Sequence, residues 1–226
     1  MTAAISAPFE IRFELDHPTL RLGVVYASEV RCGLSDPRLL ERLTQAESDL
    51  RLHPTRFSEV TRAAVRDVLR KGGYKPTGRG KPASEFLLGA ALENGLPRIN
   101  NLVDINNLVS LVRAHPISIF DADLIGPELS IRFGRETEAY VFNPAGHQMD
   151  VRGLPVVCRG SQLEPVGNAV KDSMLCKVRA ETRHVIAIVY GTRVLPAALI
   201  EAACTELAGL LSEHAGAVST SVQLLP

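Results

Sequence analysis

Apolar and polar positions alternate at the start of the chain. Residues 8–15 (PFEIRFEL) switch at nearly every step and predict a strand. Residues 20–27 (LRLGVVYA) predict a second, after the turn signal Asp16-His17-Pro18. The two read as a hairpin or as a small addition to the edge of a larger sheet. The period then lengthens to that of a helix. Over 36–52, Leu39, Leu40, Leu43 and Leu50 form one stripe, with Asp36 as N-cap and Pro37 at the first helical position. Residues 57–71 predict a second amphipathic helix ended by Gly72-Gly73, and 83–93 a third ended by Asn94-Gly95.

Residues 96–123 break the simple pattern. Ile99, Leu102, Val103, Ile105, Leu108, Val109, Leu111 and Val112 have helical spacing, yet Asn100, Asn101, Asp104, Asn106, Asn107 and Ser110 lie among them. Asn and Asp compete with the backbone for hydrogen bonds and are poor helix formers. The expectation is a helix packed on one side and lining something polar on the other. After Pro116 a short strand, Ile117 to Phe120, runs into Asp121 and Asp123.

From residue 128 the pattern is mostly of strands: 129–133, 139–142, 154–158 and the fully apolar run 185–190, which reads as central. Turns fall at Gly134, Asn143-Pro144, Gly146 and Gly160. A last amphipathic helix spans 195–214 and stops at Gly216. Helices early and late, with strands between, predict an α+β fold of mixed or antiparallel sheet layers flanked by helices. The domain reading is one unit over 1–226, with 1–75 packed on a 76–226 core.

Apolar residues make up 46% of the 226, enough for a sizeable core. Twenty-five basic residues balance 25 acidic ones, so no global field grips nucleic acid. The basic concentration is local: Arg62, Arg66, Arg70, Lys71, Lys75, Arg79 and Lys81, partly in the loop KGGYKPTGRGKP. It reads either as a solvated face or as an arm that contacts RNA phosphates. No run reaches the roughly 18 apolar residues of a membrane span. Residues 1–13 lack the basic and apolar regions of a signal peptide. Cys32, Cys158, Cys176 and Cys204 are scattered, so neither a zinc site nor a disulfide framework is expected. The expectation is a cytoplasmic protein with no membrane partner and no metal.

Asp121 and Asp123 are candidates for acid/base work or metal ligation; otherwise Asp121 caps a turn or binds backbone N–H groups. Asn101, Asp104 and Asn107 share one helix face, where they either bind a polar substrate or pin the helix to its neighbours. Lys171 and Asp172 sit after a glycine-containing approach (GNAVKDS), which reads as a loop over a site or as ordinary surface.

The motifs of this stretch carry a resemblance. Arg98-Ile99-Asn100, Val103-Asp104, Asn107-Leu108-Val109-Ser110, Pro116, Phe120-Asp121-Ala122-Asp123 and Ile125-Gly126 resemble the signature of the tRNA-editing domain of the bacterial phenylalanyl-tRNA synthetase beta subunit. The chain is more similar still to freestanding proteins built from that domain. The similarity runs over about residues 8–212, with weaker matches in order at IRF, VFNPAG, VVC, KDS and ETRHV.

In the synthetase this domain hydrolyses tyrosine wrongly esterified to phenylalanine tRNA. The resemblance implies a cofactor-free deacylase acting in trans on mischarged aminoacyl-tRNA. The alternative is a non-catalytic module of the same fold that binds tRNA or an amino acid; an unrelated small-molecule hydrolase is a third reading. On the first reading Ser118, Asp121 and Asp172 are catalytic candidates. Asn100, Asn101, Asp104 and Lys171 would contact substrate, and Arg66, Arg70, Lys75 and Arg79 would hold the tRNA backbone. The chain departs from the synthetase pattern at Ser118, where the synthetase has a histidine, and at Ile188, where it has a glutamate that reads the tyrosine hydroxyl. An unpartnered buried hydroxyl costs roughly 1–3 kcal/mol, so Ile188 implies an amino acid other than tyrosine.

Overall fold

The computed structural model describes residues 9–226. Pro8, and most of the stretch read as lacking a leader, lie outside the described residues. Two four-stranded sheets form the framework. The first is built from β1 (Glu10–Phe13), β4 (Glu128–Phe133), β7 (Pro155–Arg159) and β8 (Glu164–Asn168), in that order. The second orders β10 (Ser219–Leu225), β2 (Leu20–Ser28), β9 (Val185–Thr192) and β3 (Ile117–Asp121). Only β1 and β4 pair in parallel; every other pair in the two sheets is antiparallel. A small hairpin joins β5 (Ala139–Val141) to β6 (Gln148–Asp150). The α+β expectation holds.

Strand periodicity explains the layers. Successive side chains of a strand leave opposite faces of its sheet. On β2, Leu20, Leu22 and Val24 join the core between the two sheets, while Val25 and Ala27 join a second core under the helices. On β9, Ile186, Ile188 and Tyr190 face the first sheet, and Val185, Ala187 and Val189 face the helices. β9 is buried along its whole length between β2 and β3, so the expected central strand is central.

The helical layer contains α1 (Pro37–Leu52), α3 (Ala83–Glu93), α4 (Asn101–Arg113) and α6 (Ala197–Ala215). Asp36 caps α1 by accepting from the backbone N–H groups of Arg38 and Leu39. α6 packs hard on β2: a Cβ at Gly23 would lie 2.2 Å from the Cys204 sulfur. α2 (Glu59–Arg70) instead sends Val68 and Leu69 into the core between the sheets, and a single turn, α5 (Ala122–Ile125), follows β3.

Three expectations change. β1 and β2 do not form a hairpin; they lie in different sheets, and β2 is internal rather than an edge strand. β8 and β10 lie in segments without a clear alternation and were not foreseen from the sequence. The Asn-rich helix starts at Asn101, capped by Asn100, whose side chain accepts from Val103 N–H; Ile99 precedes it and is exposed.

Candidate functional site

Most polar groups of α4 find partners within the protein. Asn101 Oδ1 accepts from Gly33 N–H at 2.9 Å, and its Nδ2 donates to Arg31 O at 2.8 Å and His214 O at 3.0 Å. One amide thereby ties the β2–α1 connection and the end of α6 to α4. Asp104 accepts from Ser35 Oγ at 2.6 Å and from Ile99 N–H at 3.0 Å. Asn106 Nδ2 donates to Ile117 O, and Ser110 Oγ to His115 O. A buried amide needs partners; main-chain carbonyls and amides supply them for both ends of Asn101, whereas Asn106 is satisfied only at Nδ2, its Oδ1 being buried with no partner among the described residues. The polar face of α4 is thus largely a set of ties between segments, the pinning reading of that face rather than the substrate-binding one.

Ser118 belongs to a different place. It follows Ile117, so its side chain leaves β3 on the face away from α4, between the two sheets. There its Oγ donates to Asp172 Oδ1 at 2.6 Å and lies 3.1 Å from the Tyr190 hydroxyl. With Ser118 donating to the carboxylate, Tyr190 O–H donates to Ser118, which makes a chain of three. Asn168, at the end of β8, shapes the loop that carries Asp172. Its Oδ1 accepts from Val170 and Lys171 N–H, and its Nδ2 donates to the Tyr140 hydroxyl at 2.6 Å. Tyr140 in turn donates to Lys171 O at 2.6 Å. The loop can close this tightly because residue 167 is glycine. A Cβ there would meet Phe120 Cζ at 2.4 Å and Asp172 Oδ1 at 2.7 Å.

Electrostatics follow from this burial. Asp172 keeps a little solvent contact, yet protein surrounds its carboxyl on nearly every side. Loss of hydration pushes its pKa up to about 7, although the Ser118 hydroxyl and the Lys177 ammonium pull the other way. Burial and the neighbouring Asp172 also raise both tyrosine hydroxyls, Tyr140 and Tyr190, well above their ordinary value. At the rim, Lys171 Nζ lies 4.3 Å over the Phe142 ring, and Lys177 Nζ donates to Phe142 O at 2.6 Å. Both ammonium groups are lowered by burial; Arg79 lowers Lys171 further, and Asp172 opposes the effect at Lys177.

The structure therefore pairs Ser118 with Asp172; the ammonium whose charge reaches Asp172 is that of Lys177, while Lys171 shares the loop, with its ammonium over Phe142 and near Arg79 of the basic loop. A hydrogen bond from Ala83 N–H to Ala169 O ties the end of that loop to this segment. It does not bring in Asn100, Asn101 and Asp104, which lie beyond the second sheet. Asp121 also stands apart. Its Oδ1 caps α5 through Asp123 and Leu124 N–H, and its Oδ2 accepts from Thr182 Oγ1 at 2.6 Å. Of the basic residues, Arg66 forks onto the buried Glu85, and Arg62 and Arg70 pair with Glu59 and Asp67 on their own helix. Lys75 and Arg79 are exposed, with no carboxylate partner among the described residues.

Sequence reasoning missed Tyr140, Asn168, Lys177 and Tyr190. Tyr190 had a signal: a hydroxyl at the end of an otherwise apolar central strand needs a buried partner. Among the described residues, no group of three or more His, Cys, Asp or Glu side chains is arranged to hold a metal ion.

No curated protein matches the chain. Among solved structures it is similar to an N-terminal fragment of the phenylalanyl-tRNA synthetase beta subunit from Pyrococcus horikoshii, at 16% identity and a TM-score of 0.44. That match covers 54% of this chain and 40% of the fragment, less than half the fragment's length. The model of the B3/4 domain matches residues 76–216, more than half of the sequence. The chain belongs to the B3/4 domain family.

Proposed function

We propose that the protein is a cytoplasmic deacylase that acts in trans on mischarged aminoacyl-tRNA. The observation that carries this reading is the Ser118–Asp172 pair at 2.6 Å, with the Asp172 carboxyl raised to about 7. A carboxyl poised near neutral pH is suited to general-base work. In the proposed step Asp172 takes a proton from a water held by Ser118. The water oxygen attacks the ester carbonyl, a rim ammonium, Lys171 or Lys177, stabilises the oxyanion, and the ester C–O bond then breaks. The released ribose oxygen takes the proton that Asp172 had removed from the water, leaving free amino acid and tRNA. Lys75 and Arg79 would meet phosphates, and the Phe142 ring offers a face for the terminal base. Arg66, held by Glu85, contributes little free charge to that surface.

One observation favours the second reading, a module that binds tRNA or an amino acid without hydrolysis. Ser118 and Ile188 are 1% and 0% exposed, so neither is open to a substrate in this structure. Deacylation of a panel of mischarged tRNAs, with wild type beside Asp172→Asn and Ser118→Ala, separates the two. Hydrolysis of one aminoacyl ester, lost in Asp172→Asn, supports the enzyme. A panel as stable as in buffer, with salt-sensitive tRNA binding retained, replaces it with the module.

A further inference from the structure

A second site lies at another mouth of the space between the sheets, where α5 turns into β4. It is a cleft of about 410 Å³, within the usual range for small-ligand pockets. Its walls are aromatic. Tyr26 stacks on His184 with ring centroids 6.4 Å apart and 9° between planes, and Phe9 tilts against Tyr26 at 5.8 Å. Ile186 adds apolar surface, and no lysine or arginine is among the lining residues.

The charge at this cleft is negative. Asp123 lines it, and both Asp123 oxygens lie 3.1 Å from His184 Nδ1; Glu29 Oε1 lies 3.5 Å from His184 Nε2. Burial raises the Tyr26 hydroxyl, and Asp123 and Glu29 raise it further, so their field reaches the ring. Their side chains are 62% and 61% exposed, which leaves oxygens free to meet a ligand. Aromatic faces beside carboxylates attract cations through the ring quadrupole and through direct charge pairing. Anions and phosphates are repelled by the same field.

We propose that this cleft binds a small organic cation, an ammonium or guanidinium group on a short apolar stem. The cation would lie against Tyr26 and Phe9 with Asp123 and Glu29 as its counter-charges. None of the lining residues belongs to the Ser118–Asp172 cluster, so the proposal stands whether or not the protein is a deacylase.

The test is an amide NMR titration of the full chain with agmatine, which carries both kinds of cationic head, beside 1-pentanol as a neutral probe of similar girth. Saturable shifts confined to Ala122, Gly126, His184 and Ile186 are expected. The double variant E29Q/D123N should weaken agmatine about tenfold, and Tyr26→Leu several-fold. Both carboxylates are largely exposed, so the double variant is expected to stay folded. Equal binding of 1-pentanol would overturn the proposal by making the cleft merely apolar. So would non-saturating shifts, shifts spread over other acidic surfaces, or agmatine affinity unchanged in E29Q/D123N.

Discussion

Replacing Asp172 by Asn should change the pH dependence of stability in a direction that a surface carboxylate would not. The folded protein holds the Asp172 proton up to about pH 7, whereas the ordinary value is 3.8. Within that window the native state binds more protons than the unfolded chain, so stability falls as pH rises through it. At 1.36 kcal/mol per decade of proton affinity, the whole effect is at most about 4 kcal/mol. The Asn side chain keeps an oxygen that can accept from Ser118 but never ionises. Urea unfolding at acid pH should therefore give nearly equal stabilities for wild type and D172N. Near pH 8 the variant should be more stable by about 2–4 kcal/mol, the lower figure allowing for the lost attraction to Lys177. A difference that stays constant across pH, or a variant less stable only in alkali, would refute the reasoning. Either result would mean that burial does not hold the proton on Asp172 up to about pH 7, and the general-base role would lose its basis.

Other outcomes follow from the same contacts. Asn101→Ala removes bonds to Gly33, Arg31 and His214 and leaves buried main-chain groups unpaired, so denaturant melts should show a loss of about 2–4 kcal/mol. Gly167→Ala forces a methyl into Phe120 and Asp172 and should cost about 1–3 kcal/mol, with deacylation, if present, falling further than stability alone explains. Arg66→Ala strands the buried Glu85 and should lower stability by about 3 kcal/mol, whereas Arg70→Ala, on an exposed pair, should stay within about 0.5 kcal/mol. Charge removal at Lys75 and Arg79 should flatten the salt dependence of tRNA binding more than removal at Arg66, as read by binding isotherms at several ionic strengths.

Local chemistry wrote much of the fold into the sequence. Asp36-Pro37 placed the start of α1, Asn94-Gly95 the end of α3, and the unbroken apolar run of β9 its central position. Each signal depends on a residue's own backbone or on a repeat within a few positions. β8 and β10 carried no such signal: Glu164-Pro165-Val166-Gly167-Asn168 is a strand because β7 offers it a free edge, and β10 because β2 does. The Asn-rich helix was legible as polar and buried, yet its amides could point to a ligand or to main chain. Only the positions of Gly33, Arg31 and His214 resolve that choice, and they are 68 to 113 residues away.

The residue pattern is enough for most element types, though not for β8 and β10, for the α+β class and for membership of the B3/4 domain family. Tertiary structure alone decided which candidates share a site. Ser118 and Asp172 are 54 residues apart and meet because β3 and the loop after β8 converge between two sheets. Asn101 lies close to Ser118 in sequence, but the second sheet stands between them. Sequence spacing sets the face from which a side chain leaves its own element; what faces it across the core depends on how distant segments pack. For Asp172 that packing also sets the chemistry, because an ordinary aspartate becomes a group titrating near neutrality only when the fold strips away its water.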